Sequence, residues 1–184
     1  ELFFEDAKIA SYQLGITLTK RGKLNNIDIP MCGVPYHSVQ TYLARLIKLG
    51  FKIAIAEQLV SKQKNQQDVK KSTKIFSRDV VRIITPGTLL EEPLLEAKQY
   101  NFLASIYIDK GEGSLSWSDM TTSVVNIKSL DNKNLVNDLN ESLFKIEPSE
   151  IIIHASLKRH LLIKDIIKFW QNKITIVPNS AFDE

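Results

Sequence analysis

Between Leu18 and His37 the chain strings together Leu-Thr-Lys-Arg-Gly and, after a short gap, Ile-Pro-Met-Cys-Gly-Val-Pro-Tyr-His. Gly22 and Gly33 admit positive φ and close backbone approach, while Pro30 and Pro35 fix φ and hold their neighbours extended. A stiff loop of this kind, with Lys20 and Arg21 beside it, can offer cations and backbone N–H groups to an anion. The same residues also fit an ordinary strand–loop–helix connection with scattered surface charge. Catalytic chemistry is harder to assemble. A metal-dependent hydrolase needs clustered carboxylates that hold metal and water, and Asp109 and Asp119 are the tempting pair, both at strand ends where turn-capping Asp is common. His37, His154 and His160 lack zinc-ligand spacing. Neither a Gly-x-Ser-x-Gly nucleophile turn nor a Gly-x-x-x-x-Gly-Lys-Ser/Thr phosphate loop occurs. The lone Cys32 has the chemistry of a nucleophile but reads better as a small packing residue. No catalytic residue and no metal ligand is expected.

The elements that must position these residues follow from periodicity. Glu5 to Leu14 reads as a helix with Ala7, Ala10 and Leu14 on one face, acids in its first turn and Gly15 as its stop. Ile16–Thr19 is a strand candidate, and Phe3 and Phe4 read as core anchors where strand passes into helix. From Ser38 to Leu49 apolar residues recur at three- and four-residue intervals and Gly50 closes the run, which predicts a helix. Phe51–Ala56 and Val80–Thr85 have the length and composition of strands. Helix and strand interleave, so the first module is α/β.

Glu91 to Lys98, charged and containing Pro93, reads as a connector that divides a domain of residues 1–92 from one of residues 93–184. Beyond it, Tyr100–Asp109, Ser114–Ser118 and Ser123–Ile127 are strands, Leu130–Ile146 a helix, Ile151–Ile153 a buried strand, Leu157–Trp170 a helix and Ile174–Val177 a last strand. Three strands followed by alternating helix and strand resemble the start of a ribonuclease-H-like layout.

Composition narrows the function classes. No run of eighteen apolar residues exists and the first residues lack the order of a signal peptide, so a membrane or secreted protein is not expected. One cysteine allows no internal disulfide, which suits a reducing, cytoplasmic setting. The absence of an initial Met suggests a fragment of something longer. Residues 1–92 carry 14 Lys and Arg against 9 Asp and Glu, whereas residues 93–184 carry 10 against 12. The basic excess is concentrated from Lys62 to Arg82, a run that reads as a mobile basic flap because Ser61–Gln67 is polar and has no apolar period. A mildly basic module joined to a neutral one is compatible with nucleic acid, and equally with solvated lysines.

Five ordered blocks then resemble one family: Glu1-Leu-Phe, Leu18-Thr-Lys-Arg-Gly22, Pro30-Met-Cys-Gly-Val-Pro-Tyr-His37, Ala56-Glu-Gln58 and Val80-Val-Arg-Ile-Ile-Thr-Pro-Gly-Thr88. In order and spacing they are similar to the N-terminal mismatch-recognition domain of the bacterial MutS family of DNA mismatch-repair sensors. Residues from about 93 onward resemble the first part of its ribonuclease-H-like connector domain. The resemblance implies a mixed-sheet α/β domain that binds mispaired or looped duplex DNA, in which a Phe-x-Glu element enters the minor groove. Its Glu falls on Glu1, so the stacking Phe would lie two positions upstream. Lys20 and Arg21 are then expected at phosphates or the groove edge, with Met31 and Gly33 packed on the sugar–phosphate backbone. For the full-length protein the resemblance implies ATP and magnesium in a further domain, a homodimer, and a MutL-type partner on the connector. No cofactor is expected in this chain. Two other readings remain: a ribonuclease-H-like nuclease using Asp109 and Asp119 with magnesium, and a protein-interaction module whose basic half is incidental.

Overall fold

The computed structural model describes residues 1–58, 77–89 and 100–182. Ser61–Gln67, most of the Lys62–Arg82 run, the connector Glu91–Lys98 and the division at residues 92/93 lie outside the described residues. The first part is α/β. Strand β1 (Leu2–Phe3) runs straight into helix α1 (Phe4–Leu14), and β2 (Thr19–Leu24) and β3 (Ile27–Cys32) complete a sheet in the order β1-β3-β2. Helix α2 (Val39–Lys48) follows a 3-10 turn at Tyr36–Ser38, and β4 (Ile53–Gln58) and β5 (Arg78–Ile84) pair as an antiparallel ribbon.

Helix α1 buries Ala7, Ala10 and Leu14, at the three- and four-residue spacing that sequence reading assigned to one face. These side chains pack with Cys32 and Leu46. Two alanines leave room for the helix to lie close on β3. Gly15 ends it at φ 67, in the left-handed conformation a helix stop requires. Phe4 is not the core anchor expected of it: it is 51% exposed and enters the helix at φ 53. With no linker residue between β1 and α1, Phe4 itself must absorb the change of direction.

The strand expected at Ile16–Thr19 instead begins at Thr19 and runs through the supposed basic turn to Leu24. Asn25 and Asn26, at φ 51 and 63, close a two-residue hairpin onto β3. Asparagine tolerates that region, and a turn with two positive φ angles suits the twist of the flanking strands.

In the second part, β6 (Phe102–Asp109), β7 (Glu112–Asp119) and β8 (Val124–Leu130) form an antiparallel meander. Helix α3 (Leu135–Ile146) leads to β9 (Glu150–His154), and helix α4 (Lys164–Phe169) leads to β10 (Ile174–Val177). The five-stranded sheet has the order β10-β9-β6-β7-β8, with β9 parallel to β6 and β10 parallel to β9. Ala104, Ile106 and Ile108 alternate inward along β6 and meet Leu135, Leu139 and Leu143 of α3 and Ile151 and Ile153 of β9 in one core. The helix expected over Leu157–Trp170 is broken. Two 3-10 turns, Ala155–Arg159 and Leu161–Ile163, flank an extended His160, and α4 starts only at Lys164. Leu157, Ile163, Ile166 and Trp170 are all buried. The first two stand six positions apart, about 120° off a shared helical face, so one straight helix cannot bury them all.

A turn ties the two parts together. Pro86–Thr88 forms a 3-10 turn in which the side chains of Thr85 and Thr88 each engage the other's end of the turn. The Gly87 N–H donates to Oε2 of Glu150 at 3.0 Å, and the Asn101 side-chain amide donates to the Pro86 carbonyl at 2.9 Å. Glu150 is 3% exposed, also accepts from the Thr175 hydroxyl, and lies 4.0 Å from the Lys52 ammonium. A Cβ on Gly87 would sit 2.8 Å from both Glu150 Cβ and Leu103 Cδ1. The Thr-Pro-Gly-Thr motif is therefore a docking plug, and its glycine is required for space. We expect Gly87→Ala to lower stability by about 1–3 kcal/mol, read from urea unfolding; an unchanged midpoint would refute the tight fit.

Asp119 caps the far end of the β6–β7 hairpin. Burial alone would push its carboxyl up, but the Thr121 hydroxyl and the N–H groups of Asn101 and Thr121 outweigh that and hold it below the usual carboxylate value. Its stabilisation is full above the unfolded value of about 3.9 and is lost as pH falls through the lower folded value. Asp119→Asn should cost about 1–2 kcal/mol at neutral pH. Urea unfolding at pH 7 and pH 3 checks this, with the gap between variant and parent expected to shrink in acid.

Candidate nucleic-acid interface

The basic motif on β2 and the first residue of the chain beside β1 flank the central strand β3 of one sheet. β1 pairs Leu2 with Cys32 and Phe3 with Met31, which sets Glu1 against Gly33. An added Gly33 Cβ would stand 3.7 Å from Glu1 Cγ, an ordinary contact, and Gly33 is absent from the positive-φ residues. Its conformational freedom is unused here, contrary to the sequence expectation, although its lack of a side chain leaves the backbone beside Glu1 bare.

Gly22 behaves differently. The pairing of β2 with β3 slips between Lys20 and Lys23, so Arg21 and Gly22 bulge from the ladder opposite Ile29. Gly22 takes φ +77 with open space around it, so its backbone, not its size, fixes the residue type. The bulge re-aims Arg21, whose guanidinium donates to Oε1 of Glu1. Pro30, which has no N–H to give a ladder, pairs with Lys20 at the start of the irregularity.

All six residues of β2 are exposed, and Lys20, Arg21 and Lys23 stand along it. Each meets a carboxylate. Lys20 donates to Asp28 at 2.7 Å, Lys23 lies 3.9 Å from the other Asp28 oxygen, and Arg21 holds Glu1. The hydrogen bond to Asp28, aided by its charge, raises the Lys20 ammonium above the ordinary lysine value. Lys20 is thus a permanent cation on an open strand edge. Pairs this exposed are screened by water and contribute little to stability, so a stronger or multiply charged anion can displace their carboxylates at small cost.

Met31 lies on the central strand and is half-buried, alternating with the buried Cys32 and therefore on the face away from α1. Cys32 is 0% exposed; burial raises its thiol, while the nearby chain-start amine and the Ser11 backbone pull the other way. It packs, as expected, and offers no nucleophile. The loop after Gly33 carries Tyr36, 93% exposed, and the exposed His37. Sequence reading missed Tyr36 and Asp28. The first sits in a Pro-framed loop that hides no apolar period, and the second pairs across a hairpin that was not foreseen.

The carboxylates considered for metal chemistry are far apart. β6 and β7 pair Asp109 with Glu112 at one end and Phe102 with Asp119 at the other. Asp109 and Asp119 are separated by seven residues of strand, on the order of 20 Å, and cannot share a metal ion. Among the described residues no group of three His, Cys, Asp or Glu side chains is placed to hold one.

The family model described as MutS domain I matches residues 1–93. The chain is 41% identical over its whole length to the DNA mismatch repair protein MutS of Ehrlichia ruminantium (strain Welgevonden), of which it covers 22%. It is 41% identical over 99% of its length to the protein of that name from Rickettsia canadensis (strain McKiel), covering 20% of it. The corresponding Fusobacterium nucleatum protein is 38% identical over 97% of the chain, which again covers 20%. The chain thus spans about a fifth of the length of the curated relatives it matches.

The two glycines of the interface separate by substitution. Gly22→Ala forces a side chain into left-handed backbone and should cost about 1–2 kcal/mol, whereas Gly33→Ala should change stability by less than about 0.5 kcal/mol. Thermal unfolding of both variants is the measurement, and equal losses would contradict the bulge geometry.

Proposed function

The chain belongs to the MutS family, and on that premise we propose that it is the DNA-contacting front portion of a mismatch sensor, binding mispaired or looped duplex DNA and performing no catalysis itself. The observation that carries this reading is the open β2 edge, where Lys20 and Arg21 are held ready by the exchangeable carboxylates of Asp28 and Glu1. Lys20 and Arg21 engage phosphates or the groove edge, and each exchanges one exposed ion pair for another as DNA arrives. Met31 and the bare backbone at Gly33 pack on the sugar–phosphate backbone. Glu1, beside β1 on the other side of β3 and reached by the Arg21 side chain, addresses the base. A mismatched step resists unstacking and bending less than a paired one, so a rigid edge that requires a bent, opened minor groove favours it.

The order and senses of the second sheet, an antiparallel meander extended by two parallel strands on the side of β6, support reading residues 93–184 as the first part of a ribonuclease-H-like connector. A nuclease on that fold is disfavoured by the separation of Asp109 from Asp119. The nucleotide and magnesium implied for longer family proteins find no fitting residues here: the sequence has no phosphate loop and the described residues no metal cluster. A MutL-type partner on the second part, a homodimer of the full-length protein and a cytoplasmic setting are carried over from the family as proposals. Among the described residues no helix is long and apolar enough to cross a membrane.

Anisotropy titrations of a G·T mismatch duplex and its paired counterpart at several salt concentrations test the interface. Affinity should fall steeply with salt, and Lys20→Ala or Arg21→Ala should each reduce the log–log salt slope by about one. Asp28→Asn, which frees two lysines, should tighten binding. Affinity insensitive to salt and to these three substitutions would remove the assignment.

A further inference from the structure

A cleft of about 510 Å³ lies between the first turn of α1 and the β2–β3 hairpin, a size usual for sites that take a small ring-bearing ligand. Its floor is apolar, from Phe4 on the helix and Leu24, Ile27, Ile29 and Pro30 on the hairpin. Ile27 is 72% exposed and Leu24 55%, so neither serves a core of this chain. Phe4 joins them at a cost. At φ 53 it stands in backbone that glycine or asparagine enters readily and a bulky side chain does not. Its ring is not repaid in burial, since half of the residue remains open to solvent. Strain retained together with an exposed ring on the wall of a concavity marks a residue kept for contact with a ligand.

The polar groups around the floor select what it holds. Glu5 and Lys8 line the helix side and pair at 2.6 Å, while Lys20 and Asp28 line the hairpin side and pair at 2.7 Å. Two acids against two lysines leave no net charge to draw a free anion or a charged peptide inward. Thr19 and Asn25 add a hydroxyl and an amide, each able to donate and to accept. A neutral ring with donors and acceptors on its edge satisfies both, whereas a purely apolar side chain satisfies neither. A nucleobase is such a ring. Lys20 makes the cleft continuous with the β2 edge, because the same cation borders both. The phosphate beside the base then stays outside, on Lys20, in exchange for the exposed Asp28 pair. In a looped duplex the extra nucleotide has no complement, so turning it out of the stack forfeits no base pair.

We propose that this cleft receives an unpaired base turned out of a looped duplex, its face on Phe4 and its flanking phosphate on Lys20. The inference rests on the DNA reading of β2 and extends it to looped, as distinct from mispaired, substrate. The test titrates the chain by anisotropy with three duplexes of one sequence: fully paired, with one extra adenosine, and with an abasic nucleotide in place of that adenosine, which keeps the phosphate and removes the base. The base-bearing loop should bind about tenfold more tightly than the abasic one. Phe4→Ser and Ile27→Ser should each bring it to the abasic level, with paired-duplex affinity and thermal unfolding unchanged. Ile27, exposed on the hairpin, decides the matter where Phe4→Ser disturbs the start of α1. Equal affinity for the two loops, alongside salt-dependent binding of the paired duplex, would overturn this proposal and leave the DNA reading standing. Absence of salt-dependent binding to any of the duplexes would remove both. Self-association of the chain that Ile27→Ser abolishes, with the two loops bound alike, would give the cleft to a second copy and overturn the proposal as well.

Discussion

A carboxylate sealed from water dictates how the rest of this chain is put together. Glu150 opens β9 at 3% exposure, and its oxygens receive the Gly87 N–H and the Thr175 hydroxyl, with the Lys52 ammonium at 4.0 Å. A buried charge with any partner missing is costly, so these contacts must be made together. They come from the Pro86–Thr88 turn, from β10 and from the residue just before β4. The order of β9 beside β10, the seating of the turn and the approach of the first part to the second therefore form a single condition. Leu103 closes the same joint from the apolar side, leaving no space at Gly87 for a methyl group.

The ion pairs along β2 obey the opposite logic. They are solvent-exposed on both partners, so water supports either member when the pair parts. Such pairs contribute little to stability, but they limit where long side chains wander while no ligand is present. A cation held this way loses less freedom when it meets a phosphate. Charge is thus used twice in one chain, once buried to fix the arrangement of parts and once exposed to remain exchangeable.

Legibility from sequence followed the range of the interactions. Helix α2, the α1 face of Ala7, Ala10 and Leu14, and the strands of the second sheet arise from local periodicity, and their positions were readable within a few residues. The hairpin at Asn25-Asn26 was locally encoded but overlooked, because the basic residues around it read as a turn. The break at His160 was not readable from helical spacing taken piecewise, since it follows from where Leu157 and Ile163 must reach in a core assembled from distant strands. The partnership of Arg21 with Glu1 and of Gly87 with Glu150 spans 20 and 63 residues. No window of sequence contains either pair. The family resemblance identified Gly87 within a motif without giving the physical reason for it.

The same dependence on remote packing governs the candidate interface. β1 is two residues long, too short to hold Glu1 in place through ladder hydrogen bonds alone. It is followed without a linker by α1, so the orientation of the helix sets the direction of the strand. That orientation is fixed by small side chains, Ala7 and Ala10 against Cys32, which bring the helix axis close to β3 and leave little latitude for it to rock. Enlarging any of the three would lift α1 from the sheet and carry β1 with it. The geometry at Glu1, Arg21 and Gly33 is therefore a product of a three-residue apolar contact on the opposite face of the sheet.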